Sequence, residues 1–276
     1  MEVCLVKIFV SVDLEGISGV VNWEQTSPGN SAFEDARTLM AGEALAVAEG
    51  LFEGGATEVL VNDSHGGGRN IKIADADPRI RLISGHSEPL SMMQGIDESF
   101  DAAMLIGYHA GAGTAGVLSH THNGKVWSAK MNSRVVGEIG INAAVAGYFG
   151  VPVVMVTGDS MACREALAHL GTVETVAVKE PITRYSASCL HPTVARERIK
   201  SAATGVLERL HEFEPFTLEP PIEIGLTFNH TGFADAAGIM PGAKRTDATT
   251  VSYSSEDFMD VYRAFLTMTR LAGAEQ

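Results

Sequence analysis

Four short apolar runs end in side chains that bind cations. "VCLVKIFVSVD" (3–13) delivers Asp13, and Glu15 follows two residues later in "SVDLEGISG" (11–19). "TEVLVND" (57–63) closes on Asp63, with His65 two further on, and "AAMLIGYH" (102–109) closes on His109. "VPVVMVTGD" (151–159) closes on Asp159, and Glu138 opens the stretch "GEIGINAAVAGYFG" (137–150). Strand side chains alternate faces, so a strand that persists through Glu15 projects Asp13 and Glu15 from one side. Two carboxylates held close require a cation between them or a proton on one of them. Carboxylate and imidazole are the ligands of zinc, manganese and iron hydrolase centres. The glycines that follow these residues allow sharp turns and close backbone approach.

Each residue also has a plainer role. Asp13, Asp63 or Asp159 after a buried strand can cap the next helix or close an Asx-turn. Glu138 in a first helical turn complements the helix dipole. A single histidine is more often hydrogen-bonded scaffolding than a ligand, although His65 and His109, each soon followed by glycine, cap nothing well. His120 and His122 in "GVLSHTHNG" would serve as proton donor, oxyanion stabiliser or nucleophile if they faced the ligands, and otherwise read as solvated loop residues. Coincidence across four segments favours the metal, and spacing alone goes no further than a metal hydrolase.

These residues must be held by a framework. Short apolar runs separated by helical stretches predict an α/β fold with a largely parallel sheet flanked by helices. The strand candidates are 3–13, 57–63, 80–85, 102–109 and 151–159, rich in Val, Ile and Leu as suits strands covered on both faces. Helices are expected at 34–55, 137–150 and 160–171. Beyond about residue 192 the texture changes: a helix at 193–213, Pro-punctuated and then strand-like sequence at 215–229, a strand at 248–255 and a helix at 256–273. We expect a catalytic α/β domain over 1–195 and a smaller C-terminal α/β unit over 196–276.

Acidic residues outnumber basic ones 34 to 20, a formal charge of −14 on 276 residues, which repels phosphate backbones and anionic membranes. Neither nucleic acid nor membrane is expected as a partner. The three cysteines, Cys4, Cys163 and Cys189, show no CxxC spacing, so no disulfide framework or Cys-rich zinc site is suggested, and Cys4 reads as a small buried hydrophobe. No basic leader and no run of 18 or more apolar residues is present, and a cytoplasmic location is the expectation.

The stretches "SVDLEGISG", "TEVLVNDSH", "LISG", "LIGYHA", "GVLSH", "VGEIGINAAVAGYFGVPVVMVTGD", "MPG" and "TTV" run in the order found in the D-aminopeptidase family of zinc peptidases, which the chain resembles over most of its length. The resemblance implies two Zn2+ per subunit held by Asp13, Glu15, His65, His109 and Glu138, with Asp13 bridging. It pairs Glu15 with His109 on one ion and His65 with Glu138 on the other. His120 would be the catalytic residue, described in the family as a nucleophile. The implied activity is release of an N-terminal D-amino acid from short peptides such as D-Ala-D-Ala, in a homo-oligomeric ring. Two rivals remain at this stage. A dinuclear amidase or phosphoesterase would show Arg or Lys near the ligands, where only Arg69 and Lys125 qualify by sequence. A non-catalytic, ring-forming metal-binding protein would keep the ligands without turnover.

Overall fold

A computed structural model describes residues 5–86 and 89–275. Its strands are β1 (Lys7–Val12), β2 (Glu58–Asp63), β3 (Arg81–Ile83), β4 (Ala102–Tyr108), β5 (Val126–Met131), β6 (Arg134–Val136), β7 (Val153–Asp159), β8 (Glu174–Thr183), β9 (Ser186–Cys189), β10 (Ile222–Phe228), β11 (Lys244–Arg245) and β12 (Thr250–Ser255). The helices are α1 (Ser31–Glu53), α2 (Glu138–Tyr148), α3 (Ser160–Leu170), α4 (Pro192–Val206), α5 (Thr231–Gly238) and α6 (Phe258–Ala274). The first three residues of the run at 3–13 were expected to start a strand; positions 3 and 4, with Cys4, lie outside the described residues.

Seven strands form one sheet in the order β3-β2-β1-β4-β7-β8-β9, parallel except for the antiparallel edge strand β9. The α/β class with a largely parallel sheet is as the apolar runs predicted. Alternation along the strands splits the core in two. Ile8, Val10 and Val12 of β1 and Met104 and Ile106 of β4 pack on one side with Phe33, Met40 and Val47 of α1 and Ile199 of α4. Phe9, Ala103 and Leu105 face the other side, against α2 and α6. A second, antiparallel sheet of order β11-β12-β10-β5-β6 packs there. The sheet behind residue 196 therefore shares its ladder with β5 and β6, which come from well before it.

β8 and β9 were not anticipated. Lys179, Glu180 and Pro181 interrupt the apolar pattern of β8, and β9, "SASC", has no β-branched residue to mark it. α5 was missed because its eight residues hold two glycines. β5, β6 and β11 were not anticipated either. The boundaries of the expected elements shift by a few residues; α1, for example, begins at Ser31 because the Asn30 side chain accepts the Phe33 N–H at 2.9 Å and caps the helix.

Strand order reverses at β1, whose chain neighbours run outward to β2 and β3 on one side while β4 pairs on the other. Open α/β sheets bind ligands in the crevice at such a switch point, outside the carboxyl ends of the strands. Here that crevice lies beyond Val12 and Tyr108, where Asp13 and His109 follow directly.

Candidate metal centre

β1 stops at Val12, so Asp13 and Glu15 do not share a strand face. Asp13 makes one last ladder bond, its N–H donating to the Ile106 carbonyl at 2.8 Å, and the chain then turns. Gly16 N–H donates to the Gly107 carbonyl at 2.7 Å, so close to β4 that a side chain at Gly16 would overlap the Tyr108 carbonyl. Gly107 itself sits at φ +69°, the left-handed region that favours glycine. This tight crossing, and not strand alternation, brings Glu15 back beside Asp13. Lys179 holds the turn from below: its buried ammonium donates to the carbonyls of Glu15 at 2.6 Å, Ile17 at 2.9 Å and Val20 at 2.6 Å.

All five residues named as ligands, and His120, meet in one cleft. His65 Nδ1 lies 3.2 Å from Asp13 Oδ1 and 3.0 Å from Glu15 Oε2. His109 Nε2 lies 3.5 Å from Asp13 Oδ2 and 3.3 Å from Glu138 Oε1. His120 Nε2 is 3.8 Å from the same Glu138 oxygen. The two groups, Asp13 with Glu15 and His65, and His109 with His120 and Glu138, are each compact enough to hold one ion. Asp13 reaches both groups, one oxygen to each. Atoms that ligate one tetrahedral zinc lie roughly 3.3–3.6 Å apart, given bonds of about 2.0–2.2 Å. The distances thus set Glu15 beside His65 and His109 beside Glu138, a different pairing from the one the resemblance implied.

The outer nitrogens of the three histidines decide what the inner ones carry. His65 Nε2 donates to the Thr26 carbonyl at 2.9 Å, His109 Nδ1 to the Ala110 carbonyl at 3.0 Å and His120 Nδ1 to the Leu118 carbonyl at 2.9 Å. A carbonyl only accepts, so each outer nitrogen holds a proton and a neutral ring turns a lone pair inward. Those lone pairs face carboxylate oxygens. Glu15 Oε2 and His109 Nε2 are buried without a hydrogen-bond partner among the described residues. Acceptor against acceptor at these distances is untenable unless protons or cations lie between. Outer carbonyls holding ligand imidazoles are the usual support of a metal site. The donor set fits two divalent cations.

Without cations the cluster must neutralise itself. Burial and the neighbouring Glu15 push the Asp13 carboxyl up to about 6. Burial also acts to raise Glu15 and Glu138, but the facing histidines outweigh it, holding Glu15 well below the carboxylate range and Glu138 at about 2. Burial acts to lower His65 and His109, yet the carboxylates win, raising His65 well above its ordinary value and His109 to about 10. His120, stacked on His109 with ring centres 4.0 Å apart, is lowered to about 4 by burial and by that neighbour.

Asp63 and Asp159, whose plainer role was considered above, act on loops. Asp63 accepts the N–H groups of Asn70 at 2.5 Å and Ile71 at 2.7 Å, closing the glycine loop behind His65. Asp159 caps α3 and accepts Val117 N–H at 2.6 Å, fixing the loop that leads to His120. His122 donates its N–H to Glu138 Oε1 at 2.7 Å. His230 caps α5, its Nδ1 accepting the Gly232 N–H at 3.1 Å. Arg69 and Lys125 do not line the cleft, and Lys125 Nζ sits over the Phe233 ring at 4.2 Å. The cleft, about 610 Å³, is also lined by Trp23, Thr26, Asn123 and, from α6, Arg270. Trp23 packs edge-on to His120 at 5.3 Å. Sequence reasoning missed these residues because nothing in their own segments marks them. Lys179 alone left a trace, a cation directly after the apolar "TVAV" and paired in sequence with Glu180.

The D-aminopeptidase family profile matches residues 6–267. A D-aminopeptidase of Bacillus subtilis (strain 168) is 39% identical over 267 residues, 96% of this chain and 97% of that protein. The solved structure of the Zn-dependent D-aminopeptidase DppA from Bacillus subtilis, described as a self-compartmentalizing protease, matches with a TM-score of 0.96 and 38% identity, covering 98% of this chain and 99% of that one. A cleft built of carboxylates and inward-facing imidazoles at the switch point thus coincides with sequence likeness over almost the whole length, and the chain belongs to the D-aminopeptidase family.

Proposed function

We propose that the chain is a zinc-dependent aminopeptidase that removes the N-terminal residue, D-configured by family likeness, from short peptides of the D-Ala-D-Ala kind. The observation that carries this reading is the set of three histidines whose outer nitrogens are tied to carbonyls while their inner nitrogens face Asp13, Glu15 and Glu138. Asp13 would lie between two zinc ions, with Glu15 and His65 completing one set and His109 and Glu138 the other. When bound, the ions supply Lewis acidity at the scissile carbonyl and lower the pKa of water.

The rest belongs to side chains of this protein. With Asp13, Glu15 and Glu138 committed to two divalent cations, the floor of the cleft would take the substrate's α-amino group as a neutral amine and not as an ammonium. Arg270 is the one lysine or arginine among the described residues lining the cleft, and it gives the peptide carboxylate a counter-charge at the rim. A counter-charge for the peptide carboxylate beside the centre suits a short peptide better than a long chain. His120 presents the Nε2 lone pair, because Nδ1 is committed to Leu118. It would act as the Lewis base: Nε2 bonds to the scissile carbonyl carbon, the peptide C–N bond breaks, and the departing amine takes a proton from water. The remaining hydroxide releases the acyl group from the ring as the free acid, unless added hydroxylamine traps it as a hydroxamate.

His120→Ala tests the assignment. We expect two zinc ions per subunit to be retained and the rate of dipeptide hydrolysis to fall by about 10²–10⁴-fold. Loss of one zinc would make His120 a ligand of the group it shares with His109 and Glu138. A phosphoesterase is disfavoured by the likeness to D-aminopeptidases over almost the whole length. By likeness to the self-compartmentalizing relative, we read the working form as a ring of copies of this chain. No helix among the described residues is long and apolar enough to cross a membrane. Cys163 and Cys189 are free thiols, which accords with the expected cytoplasmic location.

A further inference from the structure

Behind the His109–Glu138 half of the centre stands a carboxylate that plays no part in the reading above. Glu165, in the middle of α3, accepts the Gly111 N–H through Oε2 at 2.7 Å and the Gly137 N–H through Oε1 at 3.0 Å. Gly111 is two residues past His109, and Gly137 is the residue before Glu138. The two loops are otherwise separate in sequence, one leaving β4 and the other entering α2. They meet so closely that a Cβ on Gly111 would come within 2.8 Å of the Gly137 Cα. A side chain on Gly137 would collide with Glu165 itself. Only two bare backbones can lie this near each other beneath one carboxylate.

We propose that Glu165 is a positioning residue of the metal centre, one carboxylate fastening the loops of His109 and Glu138 at a fixed separation. The proposal rests on the reading of those two side chains as ligands. The physical argument is one of pre-organisation. His109 Nε2 and Glu138 Oε1 are 3.3 Å apart, and neither loop bonds the other through its own backbone at this point. Two charge-assisted hydrogen bonds, each stronger than a neutral one, restrain both backbones from outside the cleft. Partners one shell out from a metal commonly change its affinity by 10–100-fold when removed.

Glu165→Gln keeps the volume but offers one acceptor, and its amide N–H turned toward the second glycine sets donor against donor. The side chain borders a separate cavity of about 240 Å³, lined also by Thr114, Arg164 and His169, which leaves room for the change. Three readouts on the purified full chain are compared with the parent: zinc affinity by competition with a chromogenic chelator, the visible spectrum after cobalt substitution, and the melting temperature. We expect one of the two ions to weaken about 10–100-fold, the other to keep its affinity, and the cobalt bands to shift. Both ions held at parental affinity with an unchanged cobalt spectrum would overturn the proposal.

Should Glu165→Gln fail to fold, amide exchange in the unsubstituted protein decides. The Gly111 and Gly137 amides are expected to stay protected after zinc is stripped, and free exchange there would show that no staple is preformed. Failure of the underlying reading looks different: His109→Ala would then keep both ions at full affinity.

Discussion

Zinc loading should expel protons, and the number follows from the cleft. In metal-free protein near pH 8, His65 and His109 carry protons on their inner nitrogens, because facing carboxylates raise His65 well above its ordinary value and His109 to about 10. Asp13, at about 6, is already ionised there, and His120, at about 4, is already neutral. Ligand nitrogens must shed their protons to bind a metal. The count is therefore about two protons per subunit, one from His65 and one from His109. The assay is calorimetric titration of stripped protein with zinc in several buffers of different ionisation enthalpy, where the slope of observed heat against that enthalpy counts the protons. With one proton displaced at each ion, apparent affinity should rise about tenfold per pH unit per site below the histidine pKa values.

The same shifts fix how stability depends on pH. His109 has its folded pKa raised from 6.5 to about 10, so its contribution is fully present below 6.5 and is lost as pH rises through about 10. Metal-free protein should lose melting temperature over that window, while zinc-loaded protein, whose histidines hold no titrating proton, should not. The gap between the two forms then widens with pH. A proton count near zero, or a gap that does not change, would mean that neutral imidazoles face carboxylates unaided. That would refute the acceptor-against-acceptor argument from which the cations were inferred.

Two further outcomes are expected. Arg270→Gln should raise KM about tenfold for a dipeptide with a free carboxylate, the scale of one charge-assisted hydrogen bond, and leave its C-terminal amide unaffected; equal effects on both would remove Arg270 from substrate recognition. Lys179→Met leaves the carbonyls of Glu15 and Val20 without a donor, at about 1–3 kcal/mol each, whereas the Ile17 carbonyl keeps the Val20 N–H at 3.2 Å. Against this stands the relief of an ammonium whose pKa burial lowers from 10.5 to about 8, roughly 3 kcal/mol, so a net loss of only about 1 kcal/mol is expected in urea unfolding at neutral pH. Because a depressed lysine pKa lets the unfolded state hold the extra proton between about 8 and 10.5, the parent should gain stability over the variant across that range, and a flat difference would contradict the burial of a charged Lys179.

That the five proposed ligand residues gather in one cleft was legible because of where an open α/β sheet puts its ligands. Asp13 and His109 follow the ends of β1 and β4, on either side of the switch point, and His65 follows β2. Strand-end acids and imidazoles followed by glycine therefore announce themselves in one dimension. Glu15 was found for a reason that did not hold: alternation along a strand predicted its direction, whereas the turn at Gly16 against β4 sets it. The pairing of ligands was not legible at all. It depends on how far apart β1, β2, β4 and α2 stand, and on which oxygen of Asp13 faces which histidine. Nor could Glu165 and Lys179 be read, since each acts across the fold on segments distant in sequence. They share a physical logic that a sequence pattern does not carry. A site that gathers three carboxylates around two cations needs its backbone held by charges outside the cleft, and the sheet and helices supply them wherever a side chain of the right length happens to pass behind a ligand loop. Substitutions at such positions should change metal affinity and pH response before they change the fold, which separates them experimentally from the ligands they support.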